Sequence, residues 1–570
     1  MGLFIDPSFS EFIVGGRSEV GRSRTENRKR VRRRLINSLP LLMYSDLYPL
    51  HVLHTILVVH RRGNNDPMST SRSDITAWAL IALAAEPYVV SVLGTYTPIL
   101  LEQLARENGV LASDRLTPCV IKGPPEDGPI PRPPPPGLST SSADSCLLPI
   151  LGGRVYIDTS SYALYTFSFS VLLQTICVLT ISGIADNSQL KKRLILLSGT
   201  IGGAFTMMFC VIGSHNYYAA SLLAVVANCA FGSVNVLMNS YLTLLINNYP
   251  FRRTAIDDVG DENDQLLPIG NTELGKVGSK ISGIGTTTGY SAALAIQIIS
   301  LLSLPILKDI NNDMIWCIKI IISSIGFWWL IWQIPIGLCL RNIVNENGMD
   351  RLPLKGMVLK GYKDLGHAMA SIKNLKDIYF FLLGWFVISD SITTINSTAI
   401  LFAKTTLHMP MVSLAKIGVL VMMSAISGSI IIPNVIIGWL QFDLQHALIG
   451  LILWCLCVPL YGIVALSTRT EMYVLAIWYG LGLGGLSTVS RSIYSIIIPK
   501  GKESVFFSIF SLTDKTSSIV GPLVIGLIIN LFHELRGAFW VLAALLIISI
   551  PIVTQKFDLS RARKEAEDFD

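Results

Sequence analysis

The chain has 570 residues, 51% of them apolar and only 15% charged, with a mean hydropathy of +0.53 and a net charge of +6. A soluble globular protein carries roughly 25% charged residues. Here the charge is also clumped between long apolar stretches, which excludes a soluble fold, and the net +6 is a topology signal with no nucleic-acid partner implied.

A bilayer core takes about 20 apolar residues per helix. Backbone groups in lipid must be satisfied within helices or closed barrels. Barrel strands alternate polar and apolar residues, whereas these segments are apolar on nearly all faces, so the chain is read as an all-α polytopic membrane protein.

Residues 1–74 form a basic leader, with Arg28, Lys29, Arg30, Arg32, Arg33 and Arg34 in one run. Its apolar stretch is broken by Pro40, Asp46 and Pro49 and makes a poor span. Three readings stand for it: a disordered tail, a targeting segment, or residues ahead of a true start at Met68. The first predicted helix runs from about Ile75 to Leu104. A proline-rich loop follows over 106–160, with Pro129, Pro131 and Pro133 to Pro136, a composition that favours an extended segment over a core. Cys119 and Cys146 share that loop and could pair if it faces an oxidising lumen, or stay as free thiols. The other seven cysteines lie in apolar runs and read as small core residues.

Further helices are predicted near 161–185, 194–213, 217–246, 281–304, 315–339, 377–403, 413–439, 446–466, 472–498, 504–532 and 537–555, twelve in all. Positive charge in short connections sets orientation. One side holds Lys191, Lys192, Arg193, a loop over 247–280 with Arg252 and Arg253, and a basic linker over 341–376; the other holds only Lys308, Lys404, Arg469 and Arg536. Both termini are therefore expected in the cytosol, with 556–570 a cytosolic tail and the proline-rich loop lumenal. The linker divides six helices (75–340) from six (377–555). Two six-helix bundles joined this way are the plan of the major-facilitator fold.

Between the second and third helices stands Gly183-Ile-Ala-Asp186, followed by Lys191, Lys192 and Arg193. A glycine for close helix approach and an aspartate beside basic residues for charge-assisted contacts suit a gating loop, although a plain positive-inside loop has the same composition. The corresponding loop of the second half, with Asp443 and His446, lacks the basic cluster. Charges inside spans cost roughly 2.5–3.5 kcal/mol each on insertion scales. Glu86 lies roughly 17 Å into the first helix and Asp390 roughly 20 Å into the seventh, at 1.5 Å per residue. Their matching places in the two halves make them candidates for substrate binding or proton coupling; the alternative is a buried polar network with no ligand. Pro87 is expected to break the first helix locally and free carbonyls.

Asp514 and Lys515 read first as structural partners across the bundle, and Arg491 as either a headgroup-seeking or a substrate-binding cation. Asn228, Asn235 and Asn239 fall on one helix face, as cavity lining or as interhelical hydrogen-bonding groups. Gly285 and Gly289, and the glycines from Gly480 to Gly485, read as close-packing positions. No catalytic cluster, metal site or cofactor motif stands out, so the chain is not read as an enzyme.

Glu86-Pro87-Tyr-Val-Val-Ser with Tyr96-Thr-Pro98, Lys280-Ile-Ser-Gly-Ile-Gly285 with Gly289-Tyr290, Pro499-Lys-Gly-Lys-Glu503 with Phe506-Phe507, and Thr513-Asp514-Lys515 with Gly521-Pro522 form a set. Together they resemble the autophagy-related protein 22 family of fungal vacuolar amino-acid effluxers, over about residues 75 to 555. Residues 1–67 have no counterpart in that pattern. The resemblance implies a major-facilitator fold, a vacuolar membrane and export of amino acids such as leucine after autophagic breakdown. The expected partners are membrane lipid, an amino-acid substrate and protons. A membrane sensor or scaffold on a transporter fold, and a carrier of another solute, are the alternatives, because fold alone does not fix function.

Overall fold

The computed structural model describes the chain from Thr70 to Asp568 apart from 120–145, 250–270, 342–353, 518–535 and shorter breaks that include Lys515. The expected basic leader lies outside the described residues. Everything below concerns the unit from Asn65 to Asp570.

The first span, α1 (Arg72–Glu107), opens with a capping box. The Ser71 hydroxyl accepts from the Asp74 N–H at 3.2 Å, and Asp74 accepts from the Ser71 N–H at 2.9 Å. Pro87 cannot donate to the helical ladder. From Tyr88 to Tyr96 the helix is wound as a π-helix, and α-geometry resumes at Thr97. The local break expected at Pro87 is therefore present as a widened turn, a form common at functional sites.

The loop after α1 is more ordered at its ends than its composition suggested. Val110–Leu111 (β1), Cys146–Ile150 (β2) and Val155–Asp158 (β3) form an antiparallel sheet in that order, with Leu148 opposite Ile157. A disulfide joins Cys119 to Cys146 across a Cα separation of 6.0 Å.

Five more helices complete the first bundle: α2 (Thr159–Asp186), α3 (Lys191–Val211), α4 (Tyr217–Asn247), α5 (Asn271–Ile310) and α6 (Met314–Cys339). Tyr88, Phe231 and Trp329 form its aromatic centre, with Tyr88–Trp329 ring centroids 5.1 Å apart. A Cβ on Gly285 would sit 2.5 Å from the Trp78 ring, so α5 lies tight against α1 only because that position has no side chain. Gly289 meets Glu86 in the same way, at 2.5 Å from its Cγ.

The linker is more than a connection. It carries α7 (Leu354–Ile372), whose Gly361 backbone lies directly on that of Gly183 in α2. The second bundle follows: α8 (Lys376–Thr405), α9 (Met411–Ile431, continued by a π-helical stretch Ile432–Trp439), α10 (Leu444–Val464), α11 (Arg469–Ile497), α12 (503–514) and α13 (Gly537–Lys556). Gly480 and Gly484 bring α11 onto the Val421 and Ala425 backbone of α9, the close packing expected of these glycines. Trp454 and Trp478 stack at 3.7 Å, and each indole N–H donates to the other's carbonyl at 2.9 Å, tying α10 to α11. Eleven helices among the described residues are long and apolar enough to cross a membrane. The predicted span over 504–532 begins as α12, and its remainder lies outside the described residues.

The tail expected over 556–570 folds into α14 (Leu559–Glu567). Its Arg561 donates to both oxygens of buried Asp377 at the start of α8, at 2.5 and 2.7 Å. Those hydrogen bonds, then the carboxylate's charge, hold the guanidinium pKa above its ordinary value. The Gln445 amide also donates to the carbonyls of Val553 and Phe557, fixing the chain that leads into α14.

Candidate functional site

The helices define two faces. The first carries Thr70, the facing ends of α2 and α3 and of α4 and α5, and the helices α7 and α14; the opposite face carries the disulfide-bonded sheet.

The two bundles meet along the half of α5 nearer the first face. Ser282 donates to the Thr488 carbonyl of α11 at 3.0 Å, Thr287 and Ser429 of α9 share a hydrogen bond at 2.7 Å, and Gly278 leaves room for Ser492. At the end of this contact zone stands Tyr290, its hydroxyl 3.3 Å from that of Ser487. Glu86 from α1, Arg491 from α11 and Asp514 from α12 all lie within electrostatic reach of the Tyr290 phenol. Charges of both signs from three helices thus act on one phenol at the seam between the bundles. Glu86 is half-buried and presses on Gly289, next to Tyr290. Beyond Tyr290, α5 leaves Ile299, Leu302 and Ile306 exposed.

Asp390 is buried in α8, 3% exposed. Its neighbour Ser389 donates to Asp514 Oδ1 at 2.6 Å, joining α8 to α12. Asp514 therefore serves both a cross-helix bond and the charged cluster. Lys515, expected beside it, lies outside the described residues. Arg491 is half-buried and within electrostatic reach of Tyr290.

The asparagines of α4 separate. Asn228 joins two helices: its side-chain amide donates to Ser170 at 2.8 Å, and Gln174 donates to its carbonyl at 2.8 Å. Asn239 donates to Asn235 at 3.0 Å along one helix face, and its own Oδ1 is buried with no hydrogen-bond partner.

At the first face the second set of sequence candidates meets partners from the far end of the chain. The Asp186 carboxylate accepts the N–H groups of Ser504 and Val505, at 3.0 and 2.8 Å, at the start of α12. Lys191 lies 3.4 Å from Asp186 and 3.5 Å from Glu503, with all three side chains less than a tenth exposed. Ser504 also bonds Ser240 of α4 at 3.0 Å. An anion at a helix N-terminus satisfies donors that the helix leaves open, so one carboxylate fastens the first bundle to the second. Lys192 lies within electrostatic reach of Cys339, Arg193 is exposed, and Gly183 receives Gly361. Behind this clasp, Gln174, Leu179, Ser508 and Leu512 are among the residues that line a small pocket of mixed polarity between α2 and α12. In the second half, Asp443 and His446 are 3.9 Å apart and reach no such partner set among the described residues.

Sequence reasoning named Glu86, Arg491, Asp514, Asp186 and Lys191 but gave no site role to Tyr290, Ser389 or Glu503. Tyr290 had two signals, its place just after the close-packing Gly289 and its part in the family pattern.

The chain matches the family described as vacuole effluxer Atg22 like over residues 70–567. It is 45% identical over 543 residues to autophagy-related protein 22 of Pichia angusta, covering 88% of this chain and 94% of that protein. To the Kluyveromyces lactis protein of the same name it is 40% identical over 511 residues, covering 87% and 95%. Among solved structures, the major-facilitator transporter FucP in the outward conformation superposes with a TM-score of 0.55 at 11% identity, over 85% of this chain and 100% of that one. The human organic anion transporter MFSD10 gives 0.54 at 13% identity, over 86% and 100%. The fold is that of the major facilitators, and the chain belongs to the Atg22-like vacuole effluxer family.

Proposed function

We propose that this chain exports neutral, leucine-like amino acids from the vacuole lumen to the cytosol. The observation that carries the reading is the Glu86–Tyr290–Arg491–Asp514 cluster at the seam of the bundles. A zwitterion needs an anion for its ammonium and a cation for its carboxylate, and the charges of both signs near Tyr290 support that reading. The names of the relatives support the compartment. The disulfide at the opposite face supports placing that face in an oxidising lumen. The Asp186 clasp then serves as the cytosolic gate, and Glu86 carries a proton between the two sides as the bundles rock about the site.

Labelled leucine flux through the full chain in proteoliposomes, measured at several pH values inside the vesicle, tests this. Glu86→Gln is expected to keep folding and lose the pH dependence. Asp390→Asn is expected to raise KM about tenfold, the worth of one hydrogen bond to a charged group. Normal rates and pH profiles in both variants would make these carboxylates structural.

A further inference from the structure

Along α2 the exposed side chains Tyr165, Phe169, Leu172 and Ile176 recur at helical spacing and form its lipid-facing stripe, each at least half exposed. The same stripe continues through Thr180 and Gly183. There lipid gives way to α7: the Tyr362 hydroxyl lies 2.7 Å from that of Thr180, and the Gly361 backbone rests on Gly183. The linker helix therefore sits on the outside of α2, level with the last turn of a membrane span, where headgroups lie.

Its own surface fits that place. Gly361 marks the side turned to α2. At 100° per residue, Val358, Tyr362 and Leu359 occupy the next arc. Leu359 is 72% exposed and Tyr362 40% exposed. Lys363 and Lys360 follow on the adjoining arc, with Lys363 exposed. An apolar arc bordered by lysines is the surface of a helix lying in a membrane interface, and such lysines attract anionic lipid.

We propose that α7 is an interfacial helix that docks through Leu359 and Tyr362 on the leaflet at the first face, with Lys360 and Lys363 binding anionic phospholipid headgroups.

Hydrogen exchange over residues 354–372 tests this with the full chain. The protein is compared in nanodiscs of phosphatidylcholine alone, in nanodiscs of phosphatidylcholine with phosphatidylinositol, and in detergent. Exchange is expected to slow on adding phosphatidylinositol, by about fivefold per lysine. Lys360→Gln with Lys363→Gln should abolish that difference. Leu359→Gln should speed exchange in both lipid mixtures, and unchanged exchange in the spans will show that each variant is folded. Exchange that ignores lipid composition, or a double variant that responds like the parent, overturns the proposal. Equal slowing by free inositol phosphate would assign the lysines to a soluble anion, and slowing that depends on protein concentration in detergent would assign the face to a second copy; either result overturns the membrane docking.

Discussion

Asp186, Lys191 and Glu503 are two carboxylates and one ammonium in a nearly closed space. Losing either carboxylate leaves the lysine one partner, but losing the lysine leaves two anions facing each other. Breaking a buried charged set by removing one member costs about 3–5 kcal/mol. Lys191→Met is therefore expected to destabilise the protein more than Asp186→Asn, whose amide oxygen can still accept from Ser504 or Val505. Thermal unfolding in detergent ranks the two, and the opposite order would remove Glu503 from the argument. Half of this clasp was legible in the sequence: a glycine, an aspartate and a basic run in a short loop carry a local signature. The other half was not, because Ser504 lies more than 300 residues on from Asp186, and only folding makes the N–H groups at the start of α12 the carboxylate's donors. Tyr290 was hidden for the same reason, since its meaning depends on charges from three other helices.

Helices in this protein approach through glycine, and each such position carries a specific clash. Gly285→Ala would drive a methyl into the Trp78 ring, whereas a Cβ at Gly450 of α10 meets nothing within 4 Å. Overpacking costs about 1–3 kcal/mol, while relief of glycine's excess freedom returns roughly 0.4–1 kcal/mol. Gly285→Ala is expected to lower the melting temperature and Gly450→Ala to leave it equal or higher; equal loss in both would mean that the α1–α5 contact has slack. Apolar runs made the spans legible, with ends shifted by a few residues, α5 being the main exception because it starts ten residues earlier than read. They could not reveal α7 and α14. Those helices carry lysines and arginines every few residues, so a search for unbroken apolar length reads them as connections. What makes them helices is a surface to lie on: the α2 stripe for α7, and Asp377 with the chain after α13 for α14.

At the scale of the whole molecule, the expected six-and-six division rests on the linker, and the proposed sidedness rests on charge. The positive-inside rule favours the cytosol for the first face, and the Cys119–Cys146 disulfide, an independent chemical signal, favours an oxidising compartment for the opposite face. The two agree, although one counts lysines and the other concerns thiols. They lead to a single expectation in intact vacuoles. A cysteine placed at Lys363, exposed on α7, should react with an impermeant maleimide added outside. A cysteine at Leu116, 84% exposed beside the sheet of the opposite face, should react only after the membrane is opened. The native disulfide serves as the internal control, since Cys119 and Cys146 should stay unreactive until a reductant reaches the lumen. Labelling of both positions from outside would break the topology. It would also remove the reason for giving Glu86 a proton from the lumen.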